Sequence, residues 1–253
     1  MTEPAHTTVD PAEIERFSRI SEEWWDPAGK FAPLHRLNPV RIGYIRDRAA
    51  SHWQRDPLSG TPLHGLSLLD IGCGGGLLSE PMARLGAAVT GVDAAARNIG
   101  VAALHAEKQG LRIDYRQGAA ETLAQAGAQF DIVLALEIVE HVADAPLFLK
   151  SCGRLVKPGG LLFLSTLNRT AKAWLLAIAG AEYLLGWLPR GTHDWNKFLK
   201  PSEVANGLRE GGVEAQEIVG VVYNPLSRAW SLSKRDLDVN YMLYGTAPSS
   251  RAG

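Results

Sequence analysis

The residues whose types and spacing could do chemistry fall into two short stretches. The first is Leu68-Leu-Asp-Ile-Gly-Cys-Gly-Gly-Gly-Leu77, in which Asp70 precedes Gly72, Gly74, Gly75 and Gly76. An apolar run leads in, and Leu77, Leu78, Met82 and Leu85 follow at helical spacing. That is strand, turn, helix. Glycine is required where the backbone takes positive φ or must approach a ligand without a Cβ in the way. A turn of this kind at a strand's carboxyl end is where open α/β sheets bind nucleotide-like cofactors. The second stretch is Leu136-Glu-Ile-Val-Glu-His-Val142. If a helix begins there, Glu137, Glu140 and His141 stand at i, i+3 and i+4 and share one face. Two carboxylates and an imidazole can hold a divalent cation, with magnesium favoured by the oxygens and zinc or manganese admitted by the imidazole. Two alternatives stand beside that. Acidic residues at a helix amino terminus are stabilising by roughly 0.3–1 kcal/mol each, and His141 could serve as a general base without metal. The pattern alone leaves all three open.

The glycines narrow the cofactor. The dinucleotide fingerprint Gly-x-Gly-x-x-Gly/Ala fails, because its last position falls on Leu77 or Ser79. A phosphate loop needs a lysine that the turn lacks. What remains, Asp70-x-Gly72-x-Gly74-x-Gly76, resembles the first motif of the Rossmann-like S-adenosylmethionine-dependent methyltransferases. That cofactor carries no phosphate. Its ammonium wants acceptors and close backbone. Ala87-Ala-Val-Thr-Gly-Val-Asp93 then reads as the next strand, and a carboxylate at its end can accept from both ribose hydroxyls. The bland alternative is a plain βαβ unit with a solvent-facing Asp93. A lone glycine motif is weak; the motif with Asp93 at the right remove is strong.

The elements that must position these groups follow from periodicity. Strands are expected at 66–71, 88–92, 113–116, 130–136 and 161–166, alternating with helices near 77–85, 99–109 and 146–155. The run 130–136 is continuously apolar, as in a strand buried on both faces. Such alternation argues for a parallel sheet with right-handed crossovers. Gly118-Ala-Ala-Glu121 would lie beside the adenine, its small residues leaving room for a flat base. The expected fold is a single α/β domain over 1–253, with a mostly parallel seven-stranded sheet and helices on both faces.

Around that core, residues 1–9 are expected to be a disordered tail without a secretory signal. Asp10-Pro-Ala-Glu13 reads as a capped helix start within an amino-terminal strap over 10–50. From Trp24 to Arg41 the strap is broken by Pro27, Pro33 and Pro39 and is expected to be irregular, with a helix from Val40. Its tryptophans and charged residues suit a cover over a site or a simple clasp. Residues 171–200 interrupt the rhythm with an apolar insert. The run 171–189 is short for a membrane span and carries Glu182. It suits a lid, an interfacial helix touching lipid, or both. Beyond it, His193 and Asp194 are placed to face substrate, and closing strands are expected at 213–223 and 237–244.

Composition closes off other classes. Formal net charge is −1, so no basic bias points to nucleic acid. The two cysteines, Cys73 and Cys152, make no paired framework or metal knuckle, and a reducing compartment is expected.

With these residues in view, the chain resembles the ubiquinone-biosynthesis O-methyltransferases of bacteria and mitochondria. The likeness rests on Trp24-Trp-Asp26, Pro33-Leu-His-Arg-Leu-Asn-Pro-Val-Arg-Ile-Gly-Tyr44, the glycine motif, and Glu137-Ile-Val-Glu-His-Val142. It rests too on Lys157-Pro-Gly-Gly160, Ser165-Thr-Leu-Asn-Arg169, Gly191-Thr-His-Asp194 and Asp238-Val-Asn-Tyr-Met-Leu243. It spans 14 to 244. The resemblance implies O-methylation of a polyprenyl catechol and of a demethylated ubiquinol by S-adenosyl-L-methionine. It implies cofactor contacts at Arg41, Gly72, Asp93 and Leu136, to which the motif adds Asp70 and Gly74. It implies a divalent cation, magnesium by preference, at Glu137, Glu140 and His141. Catalytic roles are expected of His141, Glu140 and His193. A lipid-borne substrate would explain the apolar insert, loose association with the inner face of a membrane from a cytoplasmic site, and contact with other quinone-synthesis enzymes. Two rivals remain at this point: a methyltransferase of another small phenol or carboxylate, and a non-catalytic subunit that scaffolds a quinone-synthesis complex.

Overall fold

The computed structural model describes residues 7–175, 195–227 and 229–249. Its strands are β1 Ser67–Ile71, β2 Ala88–Asp93, β3 Asp114–Gln117, β4 Phe130–Leu136, β5 Val156–Leu167, β6 Glu214–Asn224, β7 Ala229–Ser233 and β8 Asn240–Thr246. Its longer helices are α1 Pro11–Arg19, α2 Ala32–His52, α3 Ser79–Arg84, α4 Ala96–Lys108, α5 Ala120–Gln125, α6 Ala145–Arg154 and α7 Pro201–Glu210. The strands form one sheet in the order β3-β2-β1-β4-β5-β8-β6-β7. The first five run parallel, β8 is antiparallel to both β5 and β6, and β7 is antiparallel to β6.

Side chains alternate across the central strands and feed two cores. Leu69, Val133, Ala135, Leu162, Leu164 and Leu243 face one, with Phe148 and Leu149 of α6. Leu68, Ile132, Leu134, Leu161, Phe163 and Met242 face the other, with Tyr44 and Ile45 of α2. A strand whose two faces are both covered must be apolar at every position. That is why residues 130–136 read as an unbroken run.

Several expectations need correction. The described sheet has eight strands, not seven. The missed strand, β7, is held by a turn in which the Asn224 side chain accepts from the amides of Leu226 and Ser227. The strap between Trp24 and Arg41 is not irregular throughout, because α2 begins at Ala32 and runs through Pro39. Pro33 occupies the helix's first turn, where a missing N–H costs nothing, and Pro39 removes one interior bond from a helix of 21 residues. The expected turn at Lys157-Pro-Gly-Gly160 lies inside β5, with Gly159 at φ +76°. Nor is the start of the chain all loose. Thr8 is buried, and Glu121 accepts from the Thr7 hydroxyl (3.0 Å), the Thr8 amide (2.7 Å) and the Thr8 hydroxyl (2.8 Å). Of the apolar insert, only 171–175 and 195–200 lie within the described residues.

Candidate active site

The carboxyl ends of β1, β2, β4 and β5 meet a cavity of about 750 Å³, roofed by α1 and the strap. Its floor includes Gly72 and Cys73 of the glycine turn, while Gly74, expected to touch the cofactor, does not line it. Gly72, Gly74 and Gly76 take φ of +70°, +54° and +89°, so the backbone itself demands glycine there. A second demand comes from neighbours the sequence did not announce. A Cβ on Gly74 or Gly75 would come within 2.4 Å of Trp24, and one on Gly72 within 2.5 Å of Ile138.

Asp93, at the end of β2, is fixed rather than solvent-facing. It accepts from the Gly74 amide (3.0 Å), the Ala95 amide (2.8 Å) and the Asn98 side chain (3.1 Å). The Trp24 indole donates to Asn98 (3.0 Å), which ties the strap to this carboxylate. A carboxylate has about four lone-pair sites, so Asp93 keeps capacity for a further donor. Asp70 is buried one strand away and accepts from the Ser79 hydroxyl at 2.6 Å. Burial pushes its carboxyl up to about 7.

Arg41 descends from α2 into the same cavity and is 2% exposed. Its Nη2 lies 2.7 Å from Glu137 Oε1, yet neither Nε nor Nη2 makes a hydrogen bond. Buried donors left unsatisfied cost about 1–3 kcal/mol each, more when charged, and an incoming carboxylate would satisfy them in a forked pair. Gly118, Ala119, Ala120 and Leu136 line the same cavity. These features fit S-adenosylmethionine: small residues for the base, a carboxylate for the ribose, donors for the methionyl carboxylate.

The second stretch departs from expectation. Glu137 has φ +52° and Ile138 φ −126°, so β4 ends in a kink followed by one 3₁₀ turn, Val139–His141, not an α-helix. The side chains therefore do not share a helical face. Glu137 Oε1 accepts from Ser165 (2.6 Å), and both its oxygens accept from the Asn240 side chain at 3.1 Å. Glu140 is buried, and its Oε2 accepts from Thr166 (2.9 Å) while its Oε1 has no partner. Burial first, and the charge of Glu137 second, raise its carboxyl to about 7. His141 turns to α1, where its Nδ1 lies 3.0 Å from Glu13 Oε2. Among the described residues no three His, Cys, Asp or Glu side chains are gathered as a cation site. As folded, the donor set at Glu137, Glu140 and His141 does not fit a divalent ion, and no step below passes through one.

The structure thus brings Arg41, Asp70, Gly72, Asp93, Leu136, Glu137, Glu140 and His141 to one cavity. It also adds Asn38, Asn98 and Asn240, which sequence reasoning missed. Asn240 sat in a quoted motif, but only β-sheet register shows that it faces the end of β5. His193 lies outside the described residues.

Comparison with known proteins now bears on the site. A methyltransferase-domain family model matches residues 69–164. A ubiquinone biosynthesis O-methyltransferase of Sinorhizobium medicae is 56% identical, covering 98% of this chain and 100% of that protein. Another, from Parvibaculum lavamentivorans, is 58% identical over 94% of each. The chain belongs to the ubiquinone biosynthesis O-methyltransferases. Like other members of that family it is an S-adenosylmethionine-dependent O-methyltransferase. Solved structures agree on the fold. The magnesium protoporphyrin IX methyltransferase of Synechocystis, with bound S-adenosylhomocysteine, superposes with a TM-score of 0.61 at 21% identity, covering 94% of this chain and 95% of its own. A family O-methyltransferase must seat one cofactor and one acceptor. In this member the Asp93 side of the cavity suits the first and the β5 side suits the second.

Proposed function

We propose that the enzyme methylates a phenolic hydroxyl of polyprenyl catechol and demethylubiquinol intermediates, with the cofactor held by Arg41, Asp70, Gly72, Gly74, Asp93 and Leu136. The observation that carries the residue assignment is the Arg41 guanidinium, buried in the cavity that Asp93 and Gly72 also line, with its Nε without a hydrogen-bond partner. When bound, S-adenosylmethionine supplies a methyl group on a sulfonium. The chain's residues do the rest. Glu140 Oε1, buried and without a partner, accepts the phenol proton. Thr166 holds the other oxygen of that carboxylate. His141 ties α1 down through Glu13 and so excludes water from the cavity. A role for His193 rests on its place in the sequence and on the resemblance, and the divalent ion rests on the residue types at 137, 140 and 141 and on the resemblance.

Lipid contact through 171–189 is part of the same reading. Its support is that Trp174 and Leu175, at the head of the insert, are 50% and 56% exposed. No helix among the described residues is long and apolar enough to cross a membrane. Flotation with anionic vesicles should recover the full chain and lose a variant lacking 174–189.

The deciding experiment is methyl transfer from labelled S-adenosylmethionine to a short-tailed prenyl catechol, with magnesium, with chelator, and with Glu140→Ala. Transfer is expected, with a loss of 100-fold or so in kcat for Glu140→Ala, the usual reach of acid–base catalysis. Loss in chelator that magnesium reverses would mean that an ion regroups the three side chains. Cofactor binding without transfer would overturn the catechol assignment.

A further inference from the structure

We infer that Asn240 is the residue that reads the second hydroxyl of the acceptor. This rests on the catechol reading above and deepens it. The Asn240 amide is oriented by chemistry: its Nδ2 meets both oxygens of Glu137, which accept only, so Oδ1 must face away. That Oδ1 is buried and has no hydrogen-bond partner, although Asn240 lines the cavity. A second buried oxygen in the same state, Glu140 Oε1, belongs to a residue that lines the same cavity. Thr166, which holds Glu140, and Leu167, which stands opposite Asn240, are the last residues of β5 and face opposite sides of the sheet, so the two acceptors reach the cavity from its two sides at that strand end. Buried acceptors in native proteins find donors. Two acceptors at one strand end match a ligand with two adjacent O–H donors, which is a catechol.

The cofactor's ammonium is the competing donor, because Arg41, which would hold the cofactor's carboxylate, pairs with the same Glu137 that Asn240 meets. The two are told apart by the cofactor: a residue that serves the ammonium weakens cofactor binding when it is removed, and one that serves the acceptor does not.

The test compares a short-tailed prenyl catechol with its analogue lacking the neighbouring hydroxyl. Wild type, Asn240→Leu, Asn240→Ala and Ser165→Ala would be measured with both acceptors. Affinity for S-adenosylhomocysteine, read by calorimetry, reports fold and cofactor site together. Wild type should prefer the catechol by ~10-fold or more in kcat/KM, as sites built to bind a hydroxyl do. Asn240→Leu and Asn240→Ala should lose most of that preference, falling far more with the catechol than with the analogue, and bind S-adenosylhomocysteine normally. Ser165→Ala, which removes a different donor to Glu137, should keep the preference. A proportional fall with both acceptors would make Asn240 a mere support for Glu137 and overturn the inference. So would weakened S-adenosylhomocysteine binding, or equal rates for the two acceptors in wild type, a comparison that needs no variant. Binding without transfer to the catechol by wild type would instead remove the substrate reading, and the inference with it.

Discussion

Gly74 meets two demands at once, a positive φ and the face of Trp24. Gly74→Ala should therefore cost more than a loop glycine usually does. Backbone strain alone is of order 1–3 kcal/mol, and Trp24 would have to leave Asn98. A lower Tm and at least tenfold weaker S-adenosylhomocysteine binding are expected; unchanged binding would show that the strap yields freely. Asp70 offers a pH test. Its carboxyl is raised by burial, against the hydrogen bond of Ser79, from 3.8 to about 7. Between those values the folded chain keeps a proton that the unfolded chain releases, so this group takes stability away as pH rises. Asp70→Asn should escape that loss. Its advantage over wild type should grow from near zero at about pH 4 to on the order of 4 kcal/mol above about pH 7. Urea unfolding of the cofactor-free proteins across that range measures it, and an advantage that stays flat would count against a buried, raised carboxyl. Residue roles were legible unevenly. Asp70, the glycines and Asp93 announce themselves by spacing along the chain. Arg41 and Asn240 do not, because each reaches the site through tertiary packing, one down from a helix and the other across a sheet register.

At the scale of elements, periodicity served where one environment acts on a whole segment. β4 and α6 stand where expected, since a doubly buried strand and an amphipathic helix write their burial into consecutive residues. The kink at Glu137 was illegible for the opposite reason. Its left-handed φ goes with side-chain contacts to Arg41, Ser165 and Asn240, none of them local. β7 was missed because its short Ala-Trp-Ser-Leu-Ser run pairs with only one neighbour. The amino-terminal segment gives a prediction of its own. Glu121 is the shared acceptor for Thr7 and Thr8, Lys197 pairs with Asp10, and His141 pairs with Glu13. Glu121→Ala should loosen residues 7–19 as a unit while leaving the sheet intact. Amide hydrogen exchange should show protection falling across α1 and not in β4 or β5; no change there would mean that Lys197 and His141 suffice.

For the whole molecule, the proposed function gives the one cavity a cofactor side under the strap and an acceptor side beside β5 and β8. Ligand linkage tests that division. A saturating cofactor product at about 100 times its Kd should stabilise the fold by ~2.7 kcal/mol. Arg41→Ala should abolish most of that gain, and Asn240→Leu should not. Thermal shifts with S-adenosylhomocysteine would separate the two halves without any turnover assay, and equal losses in both variants would argue against the partition.

The place of β8 has a consequence for how the enzyme is made. The last strand of the chain is not at an edge; it threads between β5 and β6, and bonds to both. Until residues 240–246 are in place the flank of β5 stays open, whatever has folded before them. A chain cut before residue 240 lacks this interior strand, and with it Asn240, and leaves β5 and β6 with unpaired N–H and C=O edges of the kind that invite aggregation or chaperone capture. Closure of the seam between β5 and β6 is thus the step on which a finished sheet depends.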